Sequence, residues 1–218
     1  MKKLIQGIVD FRKGLTEENR TLFAQLALGQ RPDALFIGCS DSRVAPNLFA
    51  STNPGDLFVV RNIGNLIPPS STSFHESSVP AAIEFSIHFL NVADIIICGH
   101  SECGAMQMLA QGTSTLSCPH LKSWLKFGEE ALTKVKNGLI IDSSLSLHNQ
   151  ISQANVLEQM QHLASYPFIR EKIEENKLRI HGWWFDIARA DVYAYEQNLN
   201  RFLLIDDQEA KLILKRMH

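Results

Sequence analysis

The sequence predicts an α/β fold: a single domain on a central, mostly parallel sheet of four parallel strands plus a late edge strand, flanked by helices. Three observations lead there. Short apolar runs alternate with stretches of helical spacing, the pattern of strand and crossover helix in a parallel sheet. The runs at 34–39 and 94–99 are continuously apolar, as befits strands covered on both faces. No repeat, low-complexity tract or long linker divides the 218 residues, of which 45% are hydrophobic, enough for one sizeable core.

Residues 1–30 are expected to form an N-terminal helical arm and 31–218 the α/β domain. Leu4, Ile8 and Phe11, then Leu22, Phe23, Leu26 and Ala27, stand at helical spacing, with Gly14 between the runs. Thr16 followed by Glu17 and Glu18 reads as a helix start. The first helix reads either as an arm lying on a partner subunit or as a helix packed on its own domain.

Strand one is 34–39. Asn53-Pro54-Gly55-Asp56 marks a turn, and 57–60 reads as strand two. Pro68-Pro69 forbids immediate helix, and 70–78 reads as loop. Ser78 is the expected N-cap of a helix that tolerates Pro80 in its first turn. Strand three is 94–99, and a helix begins at Gly104. Another opens at Pro119 and carries Leu121, Trp124, Leu125 and Leu132. The amphipathic stretch from Leu147 through Met160 stops at Tyr166-Pro167. Strand four is 177–183, the edge strand 201–205, and a closing helix 208–217.

Composition narrows the function classes. The formal charge is −2 and the pI about 6.4, so no basic field recruits nucleic acid or an anionic membrane. No stretch approaches the roughly 18–20 apolar residues of a membrane span. The opening Met1-Lys2-Lys3-Leu4-Ile5 is too short for a signal core. Four cysteines do not make a disulfide scaffold in a chain of this length. A cytoplasmic location is expected.

The chemistry lies at two strand ends. Cys39-Ser40-Asp41-Ser42-Arg43 follows strand one, and Gly99-His100-Ser101-Glu102-Cys103-Gly104 follows strand three. In open α/β sheets the carboxyl edge is where ligands bind. Two thiolates and an imidazole, Cys39, His100 and Cys103, form a borderline-soft set suited to zinc. Three protein ligands leave the fourth position open for water or substrate. Cys103 also sits where a helix begins, a place that favours a thiolate. Arg43 can fork onto Asp41 and hold it ionised and oriented. Asp41 can accept a hydrogen bond from water at the metal, or fall onto the metal as a fourth ligand in a closed state. Cys98 reads as core and Cys118 as a bystander.

With CSDSR and GHSECG in place, RNIGN between them, and NVLEQM (155–160) and IHGW (180–183) downstream, the chain resembles the β-class carbonic anhydrases from about Pro32 onward. The resemblance implies a Zn2+ enzyme that hydrates carbon dioxide to bicarbonate and a proton by zinc-bound hydroxide. It implies Cys39, His100 and Cys103 as ligands, Asp41 and Arg43 as the catalytic dyad, and homodimers or homotetramers embraced by the N-terminal helices. Some members carry a substrate-orienting glutamine after the proline pair. Residues 70–80 contain none here, and Thr72 or Ser73 fall nearest its place. A subset of the family closes on bicarbonate; of its pocket residues Arg61 matches, while Phe36 and Phe185 stand at the two aromatic positions. That predicts no locked state, with Asp41 resting on Arg43. Two rival readings are a hydrolase of a related heteroallene such as carbon disulfide, and a catalytically silent zinc-binding regulatory homologue.

Overall fold

A computed structural model of the chain describes all residues except Ser73, His75, Thr115, Met217 and His218. The chain divides into two compact units, Met1–Arg31 and Pro32–His218. The first holds helices α1 (Lys2–Gly14) and α2 (Glu17–Leu26). Thr16 starts α2 through a capping box: its hydroxyl accepts from the Asn19 N–H at 3.1 Å, and the Asn19 side chain accepts from the Thr16 N–H at 3.3 Å. Two orphan donors of the first turn are thereby satisfied. Neither helix buries a residue, and Leu4, Ile8 and Phe11 are exposed.

The second unit runs β1 (Ala34–Cys39), α3 (Pro46–Phe49), β2 (Leu57–Asn62), α4 (Ser78–His88), β3 (Asp94–His100) and α5 (Gly104–Gln111). It continues α6 (Pro119–Leu125), α7 (Glu129–Lys136), α8 (Leu147–Ala164), α9 (Pro167–Glu174), β4 (Arg179–Asp186), β5 (Asp191–Glu196), β6 (Arg201–Leu204) and α10 (Asp207–Arg216). The strands form one sheet in the order β2-β1-β3-β4-β5-β6. The first four are parallel, and β5 and β6 add antiparallel.

The late strand is at the edge, but it reaches the sheet through β5, an additional strand. Helix α9 is likewise additional: Pro167 opens it rather than only ending α8, because a proline at the first helical position loses no hydrogen bond. The helix expected from Pro119 through Leu132 is broken by a 3-10 turn at Lys126–Gly128. Ser77, not Ser78, precedes α4, and its side chain makes no capping bond.

Strand β1 is buried along its whole length. Leu35, Ile37, Ile95 and Ile97 pack with Ile83 and Ile87 of α4 and Val156 and Leu163 of α8. On the other face Phe36, Ile96, Cys98 and Phe185 form a second cluster with Phe49 of α3. The approach of α8 is close: a Cβ on Gly99 would stand 2.7 Å from Val156 Cγ2 and 3.2 Å from the Ser152 carbonyl. The chain leaves β1 toward β2 on one side and leaves β3 toward β4 on the other. Between β1 and β3 lies the crevice at which such sheets bind ligands. Cys39 and His100 end those two strands.

At the opposite end of β3, Asp94 accepts from Arg179 Nε (2.8 Å) and Nη2 (2.7 Å) and from His181 Nε2 (2.7 Å). Burial pushes the Asp94 carboxyl up, but the His181 and Arg179 hydrogen bonds outweigh it and bring it down to about 2. A folded-state value below the unfolded one stabilises the fold above about pH 4, and the stabilisation disappears as pH falls through about 2. Asp94→Asn is expected to cost about 1–2 kcal/mol at pH 7 after allowance for solvent screening, with the gap to wild type closing near pH 2. Denaturant unfolding at several pH values measures it; a gap independent of pH contradicts the linkage.

Candidate metal centre

Strand β1 delivers Cys39 to the crevice, strand β3 delivers His100, and Cys103 occupies the N-cap of α5. All three are buried, and their donor atoms lie within 4.8 Å of one another. The register explains the convergence. Gly38 pairs with Cys98, so Cys39 and His100 project just past the last paired residues of adjacent strands. Glu102, with φ +56°, turns the chain back so that Cys103 rejoins them.

Three observations test whether these residues suit a metal. His100 Nδ1 is 2.8 Å from the Ser101 carbonyl; a carbonyl only accepts, so Nδ1 carries the proton and Nε2 keeps its lone pair. Nε2 is buried and has no hydrogen-bond partner among the described residues, a costly state for a polar atom unless a ligand satisfies it. The two thiols are coupled: the neighbouring Cys103 thiol, with the Gly64 N–H, holds Cys39 well below the ordinary thiol range against burial. Donating to Cys39, together with burial, pushes Cys103 up. A cation between two such sulfurs replaces the thiol proton. The donor set fits a metal ion.

Asp41 and Arg43 stand beside this cluster and pair with each other. Arg43 Nε donates to Asp41 Oδ1 at 2.9 Å and Nη2 to Oδ2 at 2.7 Å; the Arg43 N–H adds a bond to Oδ1 at 3.0 Å. The same Nη2 donates to the Glu102 carbonyl at 3.0 Å, tying the two motifs together. The guanidinium holds the Asp41 carboxyl well below the usual carboxylate range, against burial. Arg61 is occupied structurally: Nε donates to the Cys39 carbonyl at 3.1 Å, and Nη2 to those of Asp41 and Val44, both at 2.7 Å. Phe185 stacks on Phe49 at 4.8 Å, and Phe36 lies 6.1 Å from Phe49. The three rings pack in one cluster with Val44.

The loop after the proline pair supplies less. The Thr72 hydroxyl donates to the Pro69 carbonyl at 3.1 Å, and Ser73 lies outside the described residues. Cys98 is buried in the sheet and Cys118 exposed.

Helix α8 carries residues around the centre that the sequence reading passed over. Asn149 Oδ1 accepts from the Glu102 N–H at 2.8 Å, and its Nδ2 donates to Glu102 Oε1 at 3.0 Å. Ser152 Oγ donates to the His100 carbonyl at 2.8 Å. Asn155 Nδ2 donates to the Gly64 carbonyl at 3.0 Å, and the Gly64 N–H donates to Cys39 Sγ at 3.4 Å. Gln159 accepts from the Ile67 N–H at 2.7 Å and donates to the Phe127 carbonyl and Asn155 Oδ1. The available signal was their spacing: polar residues three or four apart on a helix whose neighbours, such as Ile151 and Val156, are core-forming.

A family profile for carbonic anhydrase matches residues 34–192. A carbonic anhydrase of Synechocystis is 39% identical over 209 residues, spanning 93% of this chain and 74% of that protein. One of Helicobacter pylori strain J99 is 36% identical, over 92% of this chain and 93% of its own. The solved β-carbonic anhydrase CcaA superposes with a TM-score of 0.86 at 39% identity, covering 94% of this chain and 98% of that one. A tetrameric β-carbonic anhydrase of Sordaria macrospora gives 0.77 at 31% identity, over 88% and 95%. With the crevice, the three donors and these likenesses in agreement, the chain belongs to the β-class carbonic anhydrases, whose reaction is the hydration of carbon dioxide.

Proposed function

We propose that Cys39, His100 and Cys103 hold one zinc ion and that Asp41, braced by Arg43, orients the attacking water in the hydration of carbon dioxide to bicarbonate and a proton. The observation that carries this reading is the Asp41–Arg43 fork beside the buried three-donor cluster. A structural zinc site needs no such dyad, which argues against the silent regulatory homologue.

When bound, zinc supplies the Lewis acidity that brings deprotonation of water to near neutral pH. The residues do the rest. An ionised carboxylate only accepts hydrogen bonds, so a water at Asp41 must direct its proton there. Its lone pair is then left for the carbon of carbon dioxide. Arg43 binds both carboxylate oxygens and so resists the swing that would carry Asp41 onto the metal. The fork is anchored in turn by the Glu102 carbonyl.

The protein is read as a homodimer or homotetramer in which the exposed apolar residues Leu4, Ile8 and Phe11 lie on a second copy; the Sordaria macrospora relatives are tetrameric. A cytoplasmic location accords with four unpaired cysteines, and no helix among the described residues is long and apolar enough to cross a membrane. The test is a side-by-side assay of carbon dioxide hydration and carbon disulfide hydrolysis on the zinc-loaded protein. Hydration is expected to dominate by orders of magnitude; preferential turnover of carbon disulfide would reassign the substrate.

A further inference from the structure

NVLEQM and the helical turns before it have no part in the reaction as derived so far. We infer that one buried face of α8, formed by Asn149, Ser152 and Asn155, is the positioning element of the metal centre, acting on all three ligands at once. The inference rests on Cys39, His100 and Cys103 being a metal centre, and it concerns what holds them in place.

The geometry is one residue per ligand. Steps of three residues keep successive side chains on one side of a helix, and 149 to 155 spans about 9 Å. Asn149 grips Glu102 by both backbone and side chain, and so fixes the left-handed residue that returns Cys103 to the cluster. Ser152 holds the carbonyl of His100 itself, and its hydroxyl is held by Trp184 Nε1 at 3.1 Å. Asn155 acts on Cys39 through Gly64. Its amide takes the Gly64 carbonyl, while Trp124 Nε1 takes the Ile63 carbonyl at 2.8 Å. Both peptides flanking Gly64 are therefore held by their carbonyls, and the N–H of the first, that of Gly64, points at Cys39 Sγ. Gly64 sits at φ +77°, and a Cβ there would stand 2.9 Å from Ala105 Cβ, so the loop has no alternative residue of ordinary size.

Burial makes the stripe more than incidental. Asn149, Ser152 and Asn155 are 8%, 2% and 1% exposed. Polar groups buried this deeply are tolerated because each is bonded; Asn149 and Ser152 bond the segment that bears His100 and Cys103, and Asn155 bonds Gly64, whose N–H contacts Cys39. A hydrogen bond to a thiolate sulfur withdraws charge from it, and outer partners of this kind set ligand orientation and metal affinity.

The test compares Asn155→Ser and Ser152→Ala with Glu158→Gln, a buried change on the same helix whose partners are Lys134 and His162. Zinc loss to a chelator and the sulfur-to-cobalt charge-transfer band of the cobalt-substituted protein are recorded on the folded proteins. Asn155→Ser is expected to shorten zinc retention about 10–100-fold and to shift the band, because it frees Gly64 and with it the N–H on Cys39. Ser152→Ala is expected to shorten retention with the sulfur band little changed, since it acts on His100. Glu158→Gln is expected to lower thermal stability and leave both metal readouts at wild type. Wild-type retention and band in Asn155→Ser and Ser152→Ala overturn the inference. Ser152→Ala removes a single oxygen, so if Asn155→Ser does not fold, wild-type retention in Ser152→Ala alone overturns it. Failure of the wild-type protein to bind zinc strikes instead at the metal centre.

Discussion

Cys39→Ser, His100→Ala and Cys103→Ser are each expected to lose most bound zinc and to bring carbon dioxide hydration down to background. Each removes one of three protein donors, so the loss should exceed the 10–100-fold typical of an outer-shell partner. Serine is close to cysteine in volume, and the site is buried but small, so the cysteine variants are expected to stay folded. The chemistry is what changes: a neutral hydroxyl neither takes the place of a thiolate on zinc nor accepts the Gly64 N–H in the same way. In His100→Ala the bond from Nδ1 to the Ser101 carbonyl also goes, so some stability is lost beside the metal. Metal analysis with circular dichroism separates the two effects. Full zinc occupancy in folded Cys39→Ser or Cys103→Ser would sink the ligand assignment.

The second large effect belongs to the dyad. Asp41→Asn is expected to keep its zinc yet lower hydration on the order of 10²–10³-fold, the scale of removing one preorganised group from a polar transition state. The amide brings an NH2 toward a guanidinium that only donates, so the two-point fork on Asp41 cannot form. It also ends the acceptor-only character by which Asp41 fixes the direction of a water proton. Arg43→Ala acts one step further out. It removes both guanidinium bonds to the carboxylate and the tie to the Glu102 carbonyl, leaving only the backbone N–H of residue 43 on Oδ1, and about a 10–100-fold loss is expected. Stopped-flow hydration at equal zinc content reads both variants. Wild-type turnover in both would reduce the pair to a structural salt bridge.

Much of this was legible because the decisive signals are local. A continuous apolar run ending in a polar ligand marks a buried strand and its functional end together, which is how Cys39 and His100 stood out from residues with the same side chains. Thr16 likewise announces α2 through side-chain chemistry within three residues. What escaped depends on distant partners. Asp191–Glu196 alternates only briefly, and it becomes a strand because β4 and β6 are there to pair with it. Pro167 ends one helix and starts another, and the second role shows only when α9 has a core to cover with Ile169. The turn that breaks the helix ends at Gly128, packed so close to α5 that a Cβ there would lie 2.9 Å from Leu109 Cδ1. Asn149, Ser152 and Asn155 read as the polar side of an amphipathic helix. Their burial reverses that meaning, and burial is a property of the whole fold.

The central claim, that hydration depends on zinc held at Cys39, His100 and Cys103, is tested most directly by titrating metal-free protein with zinc while following carbon dioxide hydration by stopped flow. The account predicts negligible hydration at the start, a rise in proportion to added zinc, and saturation at about one ion per chain. Zinc-loaded, folded protein that hydrates carbon dioxide no faster than buffer, or metal-free protein that is already fully active, would contradict it.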